Sequence, residues 1–69
     1  MTINMITHTN AKINIYQVVD MIESDDKIIL YSDRKNEMLI GIDDLPGTPI
    51  GTHTMTIYKC AIINIKVKF

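Results

Sequence analysis

The residues with the most chemical reach in this chain are two histidines, one cysteine and a run of carboxylates, and none stands at a spacing that known chemistry uses. Metal binding needs several converging ligands, and the candidates are His8, His53, Cys60 and the acidic run Asp20, Glu23, Asp25 and Asp26. A calcium loop requires alternating oxygen ligands around a glycine and a glutamate at the twelfth position, and the segment from Asp20 to Asp26 has neither the alternation nor the glycine. It reads as a solvated end of an element. His8 and His53 lie in Thr-rich stretches, Thr7-His8-Thr9 and Thr52-His53-Thr54, and read as surface histidines. Cys60 has a neighbouring cation, Lys59, but neither a base nor an orienting group accompanies it, and it reads as a small, partly buried side chain in a turn. Gly41, Gly47 and Gly51 fit neither a phosphate loop nor a dinucleotide fingerprint. Paired carboxylates for acid and base work need a concave pocket, which so short a chain rarely encloses. No catalytic residue, metal or cofactor is expected, and the chain is not expected to be an enzyme.

Charge says more than net charge. All eight acidic residues fall between Asp20 and Asp44, where Lys27, Arg34 and Lys35 leave a local excess of negative charge, while the flanks carry only Lys12, Lys59, Lys66 and Lys68. Lys66 and Lys68 share one strand face, with Lys59 as a possible third member. That is a thin footprint for a nucleic acid, so direct nucleic-acid binding is not expected. Tyr31, Arg34 and Lys35 near one turn, with Tyr16 and Tyr58 elsewhere, have the types that stack on a base and hold a phosphate. Such a site becomes roomy only between subunits.

The elements that must carry these residues follow from periodicity. Thr2 to Thr7 partly alternates, with Ile3 and Met5 on one face, and reads as a first strand. Asn14 and Gln17 stand at capping-box spacing, and Ile15, Val18, Val19 and Ile22 recur at i, i+3, i+4 and i+7. This predicts a short helix from Ile15 to Glu23. Lys27 to Ser32 reads as a strand, Asp33-Arg34-Lys35-Asn36 as a turn, and Glu37 to Ile42 as the returning strand of a hairpin. After a loop containing Asp43, Asp44, Pro46 and Pro49, Thr52 to Lys59 forms a strand. A tight turn near Lys59 to Ala61 leads to a last strand with Ile63, Ile65, Val67 and Phe69 on one face. The expected fold is α+β: one short helix packed on a mostly antiparallel sheet of four to five strands, in the order β-α-β-β-β-β.

The chain of 69 residues has room for one domain, 1–69, and its 46% apolar content suits a globular fold. With no apolar run near 20 residues and no basic start before an apolar block, it reads as a cytoplasmic protein without a membrane partner. One cysteine allows no internal disulfide. A nine-residue helix, about 14 Å long at 1.5 Å per residue, cannot shield five strands. Ile28-Ile29-Leu30 and Met38-Leu39-Ile40 are also apolar on both faces. A homo-oligomer, at least a dimer, is therefore expected, assembled by sheet packing or by an exchanged first strand.

Fourteen isoleucines, and six lysines against one arginine, are the composition of an AT-rich genome. The stretch Val18-Val19-Asp20-Met21-Ile22-Glu23-Ser24-Asp25-Asp26-Lys27-Ile28-Ile29-Leu30-Tyr31, followed by Asp44-Leu45-Pro46 and two closing strands, resembles small accessory proteins of phages and prophages of AT-rich Gram-positive bacteria. The likeness runs from about Ile15 to Phe69 and carries no catalytic residue. It implies a host-takeover or anti-defence role: a viral protein in the host cytoplasm that antagonises a host process, antiviral defence first, by stoichiometric binding of a host protein. Loops carry function on small scaffolds, which selects Asp25 and Asp26, Arg34 and Lys35, and Asp43 and Asp44 as partner-binding residues. The alternatives are an oligomeric sponge that sequesters a defence signal nucleotide through Tyr31, Arg34, Lys35 and Tyr58, and a minor structural or regulatory phage protein.

Overall fold

Strands rather than helices carry the chain, some alternating apolar with polar residues and others, Lys27–Tyr31 and Leu39–Ile42, apolar on both faces. The computed structural model describes residues 1–43 and 45–69 and contains eight β-strands with one 3-10 turn. The strands are β1 (Thr2–Thr7), β2 (Lys12–Tyr16), β3 (Asp20–Glu23), β4 (Lys27–Tyr31), β5 (Leu39–Ile42), β6 (Thr48–Pro49), β7 (Thr54–Tyr58) and β8 (Ile62–Lys68), with the 3-10 turn at Lys59–Ala61. They form two antiparallel sheets, a five-stranded one in the order β6-β5-β2-β1-β8 and a three-stranded one in the order β3-β4-β7. The core lies between them. The first sheet contributes Ile3, Met5 and Ile15, the second contributes Ile28, Leu30 and Ile57, and two connections contribute Val18 and Met38. The six strand members are β-branched or flexible apolar residues whose strand neighbours point the other way.

The expected helix does not form, and the α+β reading is corrected to a nearly all-β architecture. Ile15 lies in β2 opposite Ile3 on one side and Ile40 on the other, so that segment has backbone partners along both edges. Asn14 is mid-strand between Asn4 and Gly41 rather than a helix cap. At Gln17 the backbone turns into the left-handed region, φ 65°. The Val18 N–H then donates to the Met1 carbonyl at 3.1 Å and the Val19 N–H to the Tyr31 carbonyl at 2.8 Å, which delivers the chain into β3 of the other sheet. A bend of this kind is how a strand changes sheets at the corner of a small β-sandwich. The helical stripe was a coincidence of two strands: Ile15 and Val18 are buried, whereas Val19 and Ile22 are 55% and 52% exposed. β-branched residues lose rotamer freedom in a helix, and an isolated nine-residue helix is marginal in water, so two-sided pairing prevails.

Three further expectations change with the pairing. Lys27–Tyr31 and Leu39–Ile42 are strands, but they belong to different sheets and do not form a hairpin. Residues 32–38 carry the chain across the core and bury Met38 on the way. The turn at Lys59–Ala61 likewise crosses from β7 to β8 instead of closing a hairpin. In β8 the register slips by one residue between Ile6 and Thr7, and Ile63 is the extra residue. Ile62 therefore shares the inner face with Ile65 and Val67, while Ile63 is exposed and Phe69 lies past the strand, fully in solvent. Bulges of this type re-aim the side chains that flank them.

Five strands at about 4.8 Å spacing span ~24 Å and three span ~14 Å, so the smaller sheet cannot roof the larger one. Ile13 and Ile40 remain partly exposed beside the β7 edge, and Ile42 is 45% exposed. A groove of about 280 Å³ opens there, lined mainly by Ile13, Ile40, Met55, Ile57, Ala61 and Ile62.

Candidate functional site

The chemically suggestive residues are mostly committed to holding turns. His8 Nε2 is hydrogen-bonded to the Cys60 carbonyl at 2.9 Å, tying the β1–β2 turn to the 3-10 turn, and His53 Nδ1 shares a 3.0 Å hydrogen bond with Ser32 Oγ. Asp33 Oδ1 accepts the main-chain N–H groups of Lys35 and Asn36, each at 2.8 Å. Those two amides, Asn36 first, favour the ionised carboxyl and hold its pKa below the ordinary 3.8. Asp43 sits at φ 55°, accepts the Lys12 N–H on Oδ1 at 3.0 Å and donates its own N–H to the Lys12 carbonyl at 2.6 Å, closing the end of the β2–β5 ladder. Asp44 lies outside the described residues. Among the described residues no three metal-ligating side chains converge.

The partner-binding residues named from the sequence occupy separate places. Asp25 and Asp26 are exposed on the β3–β4 turn, where the Asp26 carbonyl accepts the Lys59 N–H at 2.9 Å and Lys59 Nζ pairs with Glu23 at 2.7 Å. Arg34 and Lys35 are exposed beyond the opposite end of β4. Tyr31 stands opposite Thr54, and Tyr58 opposite Lys27. The two tyrosines thus share one face but lie about 13 Å apart along the strands, four residues at ~3.3 Å each. Within one chain they do not close on a single ligand.

What the pairing does assemble is two faces of different chemistry. On the outer face of the three-stranded sheet, Ile22, Ile29 and Thr56 form one cross-strand row and Asp20, Tyr31 and Thr54 the next, with Lys27 beside Tyr58 beyond them. Ile22 is 52% and Tyr58 56% exposed, and Ile29 and Tyr31 are half-buried. Neighbouring apolar side chains on a strand face lie within reach of one another, so these four make one patch.

The outer face of the five-stranded sheet is polar and basic. Lys66, Asn4, Asn14 and Gly41 form one row across β8, β1, β2 and β5, and Asn64, Ile6 and Lys12 form the next. Tyr16 lies over the glycines of this side: a Cβ at Gly41 would stand 3.4 Å from its ring. Asn4, Asn14, Asn64, Lys12 and Lys66, together with the apolar Met5 and Ile6, line a concavity of about 240 Å³. Asn4 Nδ2 is buried there without a hydrogen-bond partner. Sequence reasoning placed Asn64, Lys66 and Lys68 on one strand face but joined them to Lys59, which is paired with Glu23 instead. The missed members, Asn4, Asn14 and Lys12, alternate with Ile3, Met5, Ile13 and Ile15 in the sequence, and that alternation was their signal. No protein-family model, no curated protein and no solved structure matches this chain.

Proposed function

We propose that the chain is a non-catalytic binding protein of the phage-accessory type, which antagonises a host process, antiviral defence first, by occupying a host protein. The observation that supports this reading is the outer face of the three-stranded sheet. Ile22 and Ile29 sit between Tyr31 and Tyr58, and Asp20, Asp25 and Asp26 lie at the margin. Interfaces concentrate their binding energy in a few apolar and aromatic anchors inside a polar rim, and tyrosine is among the commonest of these. The rim carries both signs, Asp20, Asp25 and Asp26 against Lys27, Arg34 and Lys35, and selects a partner whose charges answer in the complementary order. Three strands of about five residues present only ~14 by ~17 Å, below the ~800 Å² that a stable complex removes from water on each side. The turns at both ends, Ser24 to Lys27 and Arg34 with Lys35, therefore belong to the docking surface.

The same proposal makes the protein at least a dimer. Its roofless strip of inner face at Ile13, Ile40 and Ile42 is apolar, and a second copy of the chain offers an equal strip to cover it. Light scattering at micromolar concentration should give twice the chain mass, and Ile42→Lys should return it to the chain mass; a wild type of single-chain mass rejects the dimer.

Infection assays test the function. Expression of the wild type should restore phage growth on a defended Gram-positive host. Ile22→Ser with Tyr58→Ala, or Asp25→Lys with Asp26→Lys, should abolish that effect without lowering the unfolding temperature. Retained activity in both double variants would reject this surface. A thermal shift with cyclic or ADP-ribose-type nucleotides, lost in Arg34→Gln with Lys35→Gln, would instead establish the sponge.

A further inference from the structure

The outer face of the five-stranded sheet carries an arrangement that docking through the other sheet does not use. Asn4 lies on β1, paired on both sides, so its main chain is fully engaged in the ladders with β2 and β8. Its side-chain nitrogen is nevertheless buried and unpartnered, just beneath a concavity that the rest of the half-buried Asn4 helps to line. Buried amide donors are almost always satisfied, and one left over gains a partner when the amide, whose terminal torsion is soft, rotates toward a ligand acceptor in the concavity. The walls supply more donors. Asn14 and Asn64 contribute amides, and Lys12 and Lys66 contribute ammonium groups from the strands on either side of β1. The two lysine strands are about 10 Å apart, two strand spacings, and each side chain is long enough to lean over a guest between them. No acidic side chain lines the concavity. The only ion pair among the described residues, Lys59 with Glu23, engages neither lysine.

We propose that this concavity is a binding site for a small phosphate-bearing ligand. The donor set decides the class. A phosphate presents three oxygens that accept hydrogen bonds and close to two negative charges at neutral pH. It therefore answers an unpaired amide, two further amides and two cations at once. A carboxylate has two oxygens and one charge, and leaves donors over. Lysines act as point charges, so the site recognises charge and oxygen count more than planar shape. Tyr16, on the same face over Gly41, offers a ring edge to an organic group attached to the phosphate. The site lies on a different sheet from Tyr31 and Tyr58, none of Tyr31, Arg34, Lys35 and Tyr58 lines it, and it stands or falls independently of the protein-docking proposal.

The test is titration of the full chain, followed by amide NMR and calorimetry, with inorganic phosphate, pyrophosphate and adenosine monophosphate, and with acetate as the contrast. The three phosphates should saturate and should move the side-chain amide signals of Asn4, Asn14 and Asn64, with affinity falling as salt rises. Acetate should bind at least about tenfold more weakly. Lys12→Gln with Lys66→Gln should weaken phosphate binding by at least about tenfold, while Arg34→Gln with Lys35→Gln leaves it unchanged. Amide spectra that otherwise overlay the wild type confirm that each variant folds. The lysines stand on exposed or half-buried strand faces, where the exchange removes charge and keeps bulk. The assignment is wrong if no phosphate saturates at millimolar concentration, if acetate matches phosphate, or if the Lys12 and Lys66 exchange leaves binding intact.

Discussion

The two outer faces of this molecule are built from the same strand geometry and have opposite chemistry. Over the three-stranded sheet, alternation leaves Ile22, Ile29, Tyr31 and Tyr58 toward solvent; over the five-stranded sheet it leaves Asn4, Asn14, Asn64, Lys12 and Lys66. The first face is bordered by the acidic segment and the second gathers lysines from both chain ends. A chain with a net charge of −1 therefore distributes its charges unevenly: the concavity on one face holds lysines as its only charged residues, while the other face mixes Asp20, Asp25 and Asp26 with Lys27. Net charge alone concealed this, because it averages two surfaces of different chemistry.

The sharpest way to break the contrast is to attack the core the two faces share. Leu30 from the smaller sheet and Ile15 from the larger are both fully buried. Leu30→Ala and Ile15→Ala should each cost about 2–5 kcal/mol in denaturant unfolding, through lost burial and the cavity left behind. For a domain this small that is most of the stability. Equal losses in one transition show a single cooperative core, whereas a separate early transition in either variant shows that the sheets unfold apart. By contrast, Ile22→Ala should change stability by less than ~0.5 kcal/mol, because that side chain already faces water.

Asn4 offers the next effect, and it sharpens the difference between faces. Asn4→Leu removes a buried donor without a partner, and should stabilise the fold by about 1–3 kcal/mol in the same assay. It should also abolish phosphate binding. A destabilised Asn4→Leu would mean that the amide is structurally satisfied in solution, and would remove the main support for the site.

Smaller effects belong to the joints between the sheets. Gln17 at φ 65° is the point where the chain leaves one sheet for the other, and Gln17→Gly should relieve strain there and raise stability by about 0.5–1 kcal/mol. Gly51 at φ 70° has open space around it, so Gly51→Ala should cost about 1 kcal/mol through backbone strain alone. If both exchanges are neutral, the left-handed turns are not what fixes the angle between the two faces.

These joints also show how much the sequence discloses. Thr2–Thr7 was legible to the residue, and β4, β7 and β8 to within a residue or two at each end, because β1, β7 and β8 alternate at least in part and β4 is a β-branched and aromatic run bounded by polar turns. Pairing was not legible. Ile15, Val18, Val19 and Ile22 imitated a helix because a one-residue bend shifts the phase of a strand pattern by the same step that a helix uses. Asp33 to Asn36 looked like a hairpin tip because its turn chemistry is real, yet the strands on either side enter different sheets. The polar concavity was hidden for the same reason: its residues come from three strands whose register is set by the buried face, and asparagine in a sequence signals turns more often than strand centres. The tyrosines were singled out individually, but only the β4–β7 register shows that they share a face at opposite ends.

The smallest expected effect sits at the second joint, in the connection from β4 toward β5. Asp33 is exposed, and its carboxylate accepts the amides of Lys35 and Asn36, with His53 adding a weaker electrostatic pull. Its folded pKa therefore lies below 3.8, so the support it lends the turn is fully present above that pH and fades as pH falls through the lower, folded value. In an NMR titration the Asp33 carboxyl carbon should show a midpoint below 3.8, and the amide protons of Lys35 and Asn36 should follow the same curve. Asp33→Asn should remove that shared titration while leaving neutral-pH stability almost unchanged. The signals of Asn4 and Asn14 should not track it, since their face belongs to the other sheet; if they do, the two faces are coupled through the crossing at residues 32–38, and a ligand on one would be felt by the other.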